Sequence, residues 1–497
     1  MDKSQKRAQT LVLIACMACM FMTAVESTIV ATAMPTVAGA LGGYALFGWT
    51  FAAYLLTQAT IIPIYGRLAD LYGRKPMFFS GATAFIVGSA ICGAADTMLV
   101  LILGRAVQGI GAGGIVPVAQ TIIGDTFTPI ERARIQPYLS SVWGISAILG
   151  PILGAFMIHR FPWPVIFWFN IPIAVAVMAL IAVLFKETHH RMEHRLDVVG
   201  AVLLVISTGG LLLCLMQAAH LGDLLAPIVA VTVISGAVLV WHERRTPEPL
   251  LPIALWSNKV IRTCNLGSLG IGASSMGVSV FLPTYIQGVL GRDAYAAGTS
   301  LAFMSIGWPV ASAIAGRLMI RTSYRLTATV GGFFLIGGSA MLALIDPAKG
   351  VPWCSVAAFL VGAGLGLVNS PFMVALQDAA PWNVRGVATA SNAFNRMFGA
   401  ALGTAILGAT MNWSLMRSLP DMADPVLSLV DPALREALAP EALARISGAV
   451  ADALILAFTA GIVIAIAAFL AGRMLPPGMK PTDGPRRPPP KPEAAPN

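Results

Sequence analysis

Apolar runs of about 20 residues recur along the whole chain, separated by short turns that carry Gly, Pro, Arg and Lys. The runs are continuous rather than alternating, and about 20 apolar residues wound as a helix cross a hydrocarbon core roughly 30 Å thick. In lipid, only helices and closed barrels satisfy every backbone hydrogen bond. The pattern predicts an all-α integral membrane protein with fourteen spanning helices. They are expected at 11–33, 47–68, 77–95, 98–121, 137–158, 163–185, 197–217, 225–241, 264–288, 297–319, 327–345, 352–376, 388–411 and 450–472.

Composition agrees: 57% of residues are hydrophobic and 11% charged, where soluble domains carry about 25% charged residues. MDKSQKR is a basic start, but the following apolar run is too long for the core of a cleaved leader and lacks a small-residue cleavage site. The net charge of +9 raises the question of nucleic acid, and its distribution answers it. Lys and Arg fall about fourfold more often on the side that holds both termini, the bias that fixes membrane orientation. Both termini are expected in the cytoplasm of a cell inner membrane, with the bilayer rather than nucleic acid as the partner. The six cysteines lie nearly all within spans. Cys16 and Cys19 have redox-motif spacing, but a continuous apolar helix favours plain packing.

Two internal echoes suggest a repeat. GRLADLYGRK at 66–75 reappears as GRLMIRTSYR at 316–325, and TPIERAR at 128–134 as APWNVRG at 380–386. Six-span bundles at 1–190 and 258–475, joined by two extra spans within 191–257, fit that register. Repeated halves around a central path are the usual plan of secondary transporters. The outer loop 412–449 is acidic, and DPALREALAPEALARI inside it predicts a short amphipathic helix. The proline-rich tail 476–497 is expected to be disordered.

Glu26 is a lone carboxylate within an apolar span. Such a residue costs about 2.5–3.5 kcal/mol even on lenient insertion scales, so function is its default reading. A carboxylate neutralised by one proton couples a membrane protein to the proton gradient in the simplest way. Arg105 lies about seven residues into span 4, at roughly the depth of Glu26, counted at 1.5 Å per residue. The two can share a cavity or form a structural ion pair between spans 1 and 4. Asp70 stands at the cytoplasmic mouth with Gly66, Arg67, Gly73, Arg74 and Lys75. A carboxylate there can cap a helix or bridge the bundles and latch one state, while the basic residues alone are explained by orientation. Gly150, Pro151 and Gly154 make span 5 thin, which suits a moving seam or close packing.

Four stretches carry a resemblance. GRLADLYGRKPMF (66–78) resembles the loop 2–3 signature of the major facilitator superfamily. LILGRAVQGIGAGG (101–114) resembles its span 4 signature, with Arg105 and Gln108 in place. SAILGPILGA (146–155) is similar to the span 5 antiporter signature of proton-driven exporters, with Ser146 and Ala155 where Gly is commoner. VESTIVATAMPT (25–36) resembles the span 1 signature of the 14-span drug/proton antiporter branch, with Glu26 where Asp is more usual. The resemblance covers about residues 8–475 and implies a major facilitator fold and multidrug efflux. It implies a proton-coupled antiporter, acting as a monomer, for lipophilic compounds, cationic ones among them. Glu26 and Arg105 would then couple protons, and Asp70 with its neighbours would form the gate. In bacteria with two membranes such exporters can work with a periplasmic adaptor, for which the sequence carries no signal.

Gln108, Gln287, Asn369, Asn392 and Arg396, with Trp308, either line a substrate cavity or bond and pack within the bundles. Phe281, Tyr285 and Phe394 carry the same two readings. His189, His190 and His194 sit among basic neighbours without Cys, a poor metal site, and no cofactor is implied. No Gly-x4-Gly-Lys-Ser/Thr phosphate loop occurs, so ATP hydrolysis has no motif. An exporter of one lipid or metabolite and a non-transporting sensor remain as competing readings. An enzyme would need acid, base or metal groups gathered at one membrane face, and the sequence offers none.

Overall fold

The computed structural model describes residues 3–42, 46–185, 187, 197–246, 249–250, 253–422 and 424–482. Fourteen long helices account for most of them. The first six are α1 (Lys3–Leu41), α2 (Phe47–Tyr72), α3 (Arg74–Gly93), α4 (Met98–Thr126), α5 (Pro129–Arg160) and α6 (Asn170–Leu184). Two more, α7 (Val198–Leu221) and α8 (Leu225–Glu243), lead to the last six. These are α9 (Lys259–Thr284), α10 (Ala294–Arg321), α11 (Tyr324–Ala343), α12 (Gly350–Ala379), α13 (Arg385–Ser418) and α14 (Pro440–Met474). An even number of crossings returns the chain to the face where it began, called here the terminal face.

Among the described residues, thirteen helical segments are long and apolar enough to cross a membrane. The remaining span is α13, which is long enough at 34 residues but whose apolar surface is interrupted by Asn392, Asn395, Arg396 and Asn412. It nevertheless packs against α9, α14 and α2, so it runs with the other spans, with Asn392 and Asn395 buried against its neighbours.

Helices α1–α6 form one bundle and α9–α14 the other. In the first, α3 packs on α4, α4 on α2, and α1 on α5 and α6; in the second, α10 and α11 pack on α12, α9 on α13, and α11 on α14. Each bundle has its own core, built around Phe78, Phe85 and Ile122 in one and Tyr324, Phe372 and Leu454 in the other. The bundles meet along two seams, α2 against α13 and α5 against α10. Helices α7 and α8 pair with each other, and α7 touches both α2 and α13. Ile64, Leu204, Leu239 and Leu250 form the small apolar cluster that seats this pair.

Three local features differ from the sequence expectation. Helix α1 continues through Pro35 to Leu41, because the missing proline hydrogen bond is tolerated within a helical bundle. The sixth span is broken: Val165–Trp168 forms a separate turn, and α6 starts at Asn170. The acidic outer loop does not hold one amphipathic helix. Pro432–Glu436 forms a short turn and Pro440 begins α14 about ten residues early, since proline is favoured in a first helical turn and cannot sit in a helix interior without loss. Of the other expectations, His189, His190, His194 and residues 483–497 of the tail lie outside the described residues.

Candidate functional site: a buried ion pair and an interbundle latch

The deepest polar cluster is assembled by five helices of the first bundle. Glu26 of α1 and Arg105 of α4 are 0% and 1% exposed, with Arg105 Nη1 2.8 Å from Glu26 Oε1. The same nitrogen donates to Gln108 Oε1 at 2.6 Å, and Arg105 Nε donates to the Thr50 carbonyl of α2 at 3.3 Å. Gln108, one turn beyond Arg105, donates in turn to Ser89 Oγ of α3 at 2.9 Å. The guanidinium plane lies over the Tyr54 ring, 4.2 Å from its centroid. The second carboxylate oxygen of Glu26 accepts from Asn170 Nδ2.

Asn170 is a member the sequence did not single out. The signal was present as one amide in the apolar string FWFNIPIAV. Its importance comes from the break before α6, which turns the first residue of that helix toward α1. Both carboxylate oxygens of Glu26 are therefore occupied. Breaking a buried pair of this kind costs about 3–5 kcal/mol, because the surviving charge is left without a partner. Gln108 lies inside the bundle as part of this network.

The glycines of α5 are set against the same stretch of α1. A side chain at Gly150 would collide with Thr28 Oγ1, and one at Gly154 would press on Thr32 and the Ile29 carbonyl. Thr28 Oγ1 also donates to the Ser146 carbonyl at 3.2 Å. The seam thus runs two to six residues from Glu26 along α1. Pro151 points outward and is exposed.

The second cluster lies at the terminal face and joins the bundles. Asp70, near the end of α2, accepts from the backbone amides of Gly386 at 2.9 Å and Val387 at 2.8 Å. These are two of the unpaired N–H groups at the start of α13, where the helix dipole also favours a negative charge. Arg74 Nη2 lies 3.0 Å from Asp70 Oδ1, and Arg74 Nε lies 2.9 Å from Asp125 Oδ2. Arg385, the first residue of α13, completes the chain at 2.8 Å from Asp125 Oδ1. Arg74 further donates to the Trp382 carbonyl at 3.0 Å and covers its ring at 4.5 Å.

Gly66 permits this approach, since a methyl group there would strike Ala390 Cβ of α13. Gly73 turns the chain between α2 and α3 at φ +103, a conformation open to glycine and costly for other residues. Lys75 stays within its own bundle, where Nζ donates to the carbonyls of Ala182 and Phe185 at the end of α6. Arg67 is half-buried. Asp125 and Arg385 are further members that the sequence reading did not single out.

Additional crossings follow the same face. Arg132 donates to Gln377 Oε1 at 3.0 Å, Gln377 to the Gln120 carbonyl at 3.1 Å, and Ser312 to Ser140 at 2.9 Å. Among the described residues, the hydrogen bonds and ion pairs that join the bundles all lie in the half nearer the terminal face.

The other cavity candidates divide. Asn392 is buried and donates to Ser268 Oγ at 2.7 Å and the Cys264 carbonyl at 3.3 Å, tying α13 to α9. Phe281 and Tyr285 are core residues of the second bundle. Gln287 lies in the turn beyond α9, where its carbonyl accepts from Arg435 at 3.3 Å. Trp308 packs partly buried on the second core, Asn369 is 6% exposed within α12, and Phe394 stacks on Phe398. Phe394 packs on the cluster that joins Ile62 of α2 to α13, and Arg396 reaches toward α5, its guanidinium 5.9 Å from the Trp143 ring centroid.

Two bundles joined at one face, with a buried ion pair in one of them, define a membrane transporter rather than an enzyme. The Major Facilitator Superfamily model matches residues 16–404, and the chain belongs to that family. It is 34% identical to multidrug resistance protein 3 of Bacillus subtilis over 411 residues, covering 80% of this chain and 79% of the relative. It is 32% identical to the multidrug transporter protein MdtP of the same organism over 432 residues, covering 86% and 80%. Among solved structures it is similar to the human organic anion transporter MFSD10, with TM-score 0.65, 13% identity and coverage of 93% and 99%. It is also similar to the proton:xylose symporter XylE, with TM-score 0.59, 11% identity and coverage of 93% and 95%. These two likenesses show the fold.

Proposed function

We propose that this multi-pass membrane protein is a proton-coupled exporter of lipophilic compounds that works by alternating access. The observation that carries the reading is Glu26: a carboxylate deep in the membrane, sealed from solvent, held by Arg105 and Asn170. A proton arriving at Glu26 removes the charge that Arg105 balances. The guanidinium must then find another partner, and α1 loses its tie to α4 beside the glycine seam with α5. One proton supplies about 1.4 kcal/mol per pH unit and about 2.3 kcal/mol per 100 mV. With one unit and 100 mV, that drives roughly a hundredfold substrate gradient or more.

Asp70, Arg74, Asp125 and Arg385 act in this reading as the latch that closes the terminal face. Gly66 and Gly73 let the helices approach, while Arg67 and Lys75 contribute to orientation. Gly150 and Gly154 form the seam along which α5 and α1 shift, with Pro151 between them on the outward side of α5. The Lys and Arg bias supports a cytoplasmic terminal face in an inner membrane, so the latched form faces outward. We assign residues 1–190 and 258–475 to the two moving bundles, 191–257 to the linker pair and 476–497 to a cytoplasmic tail, with the monomer as the working unit. The multidrug relatives support a broad lipophilic substrate range.

The test is transport in everted vesicles, with a fluorescent lipophilic probe and an imposed proton gradient. Gradient-dependent uptake by wild type that is lost in Glu26→Gln supports exchange at Glu26. Equal uptake by both refutes it.

A further inference from the structure

We infer that the transported compounds carry an anionic group, a carboxylate or sulfonate, received by Arg396; this rests on the export reading above. Arg396 sits eleven residues into α13, about 16 Å from the start of that helix and so near the middle of a hydrocarbon core about 30 Å thick. A guanidinium does not lose its charge in a protein. At such a depth a cation is normally paired, or else it faces water or a ligand path. Among the described residues, no carboxylate and no hydrogen-bond acceptor meets the Arg396 side chain, in contrast to Arg105, Arg74 and Arg385.

The direction of the side chain follows from its neighbours on α13. Ala390 faces α2, and Gly399 and Gly403 face α9. At 100° per residue, Arg396 falls on the arc between those two contacts. Its guanidinium extends from there toward Trp143 of α5, 5.9 Å away. Helices α5 and α13 belong to opposite bundles and to opposite seams, α5 packing on α10 and α13 on α2. A side chain that spans from one to the other crosses the space between the bundles.

Among the described residues, this space also lacks a free carboxylate to attract a cation. Glu26 is enclosed with Arg105 inside the first bundle, and Asp70 and Asp125 are spent at the terminal face. The charge chemistry presented to a ligand is therefore one cation beside one large aromatic ring. A guanidinium binds a carboxylate through two parallel N–H donors, and the indole offers a flat apolar wall to the rest of an amphipathic molecule. This inference points to lipophilic anions, where the family resemblance implies lipophilic compounds with cationic ones among them.

The test uses the full chain in nanodiscs and a matched pair of fluorescent probes, 1-pyrenebutyrate and its neutral amide. Wild type should bind the carboxylate at least tenfold more tightly than the amide. Arg396→Gln should bring the two to parity while still binding the amide, which shows that the variant is folded, and Arg396→Lys should restore part of the preference. Equal affinities in wild type, no binding of the carboxylate, or a preference that survives Arg396→Gln would each overturn the assignment. Flux is read separately in everted vesicles with tetraphenylphosphonium and with the carboxylate. Gradient-driven flux without carboxylate preference leaves the exporter standing and removes the role of Arg396. Preference without flux of either probe removes the exporter and leaves Arg396 as an anion site.

Discussion

Asp70→Asn isolates the latch with little change of shape. The native carboxylate serves two backbone amides of α13 and Arg74 at once, with both Asp70 and Arg74 1% exposed. Asparagine keeps one acceptor, so one amide remains served while the other meets an NH2 group. The charge-assisted hydrogen bond lost is worth about 1.5–3 kcal/mol. Breaking a buried pair can cost about 3–5 kcal/mol when a charge is orphaned, but Arg74 retains Asp125 at 2.9 Å. The lower end applies, about 3 kcal/mol against the closed terminal face, which is roughly a hundredfold change in the ratio of states. A form populated 99:1 would become about 1:1. Spin labels at Arg134→Cys and Arg321→Cys, exposed positions on α5 and α10 at that face, in a background free of the six native cysteines, report the separation. Double electron–electron resonance should show one short distance without the Asp70 change, and a second, longer one of comparable weight with it. An unchanged distribution in Asp70→Asn would mean that the amide caps and Arg74 do not hold the face closed.

Gly66→Leu should open the same face by steric force, since any side chain there strikes Ala390. The same label pair should lengthen, and transport should fall. Asn170→Ala strips one hydrogen bond from Glu26, a loss of about 1.5–3 kcal/mol. It should lower the thermal midpoint of the solubilised protein by about 2–5 °C; an unchanged midpoint would place Asn170 outside the network. Gly150→Ala should impair transport through its collision with Thr28 Oγ1 and Cβ, and Thr28→Gly, which removes both atoms, should rescue it. Failure of that rescue would show that the α1–α5 contact is not what the glycine protects.

Much of this arrangement was legible before the structure. Span counting depends on hydrophobicity alone, and the shared depth of Glu26 and Arg105 followed from counting along straight helices, which left a common cavity and an ion pair both open. The pieces that escaped share a cause. Asn170 reaches Glu26 because the sixth span breaks at Phe169, a tertiary event with no local signature beyond Pro172. Every helix begins with free amides, so the sequence offers Asp70 many possible acceptances and does not single out those of Gly386 and Val387. Asp125 and Arg385 stand at helix ends, where a charge is cheap to solvate, and gain a role only where the two bundles close on them. Gln108 carried two readings, a cavity wall or a bond within the bundle; helical phase places it beside Arg105, and packing against α3 decides for the interior.

Helix α13 is capped by Asp70 at Gly386 and carries Arg396 ten residues further on, about 15 Å along the same rod. A stiff rod pivoting at one end must swing at the other. Release of the latch therefore displaces the guanidinium without any relay of side chains, and the mouth of the transporter and its recognition of charge become two readings of one lever. Probe preference should accordingly change in Asp70→Asn by way of geometry alone, whereas an unaltered preference beside an opened face would show that α13 bends between the two points.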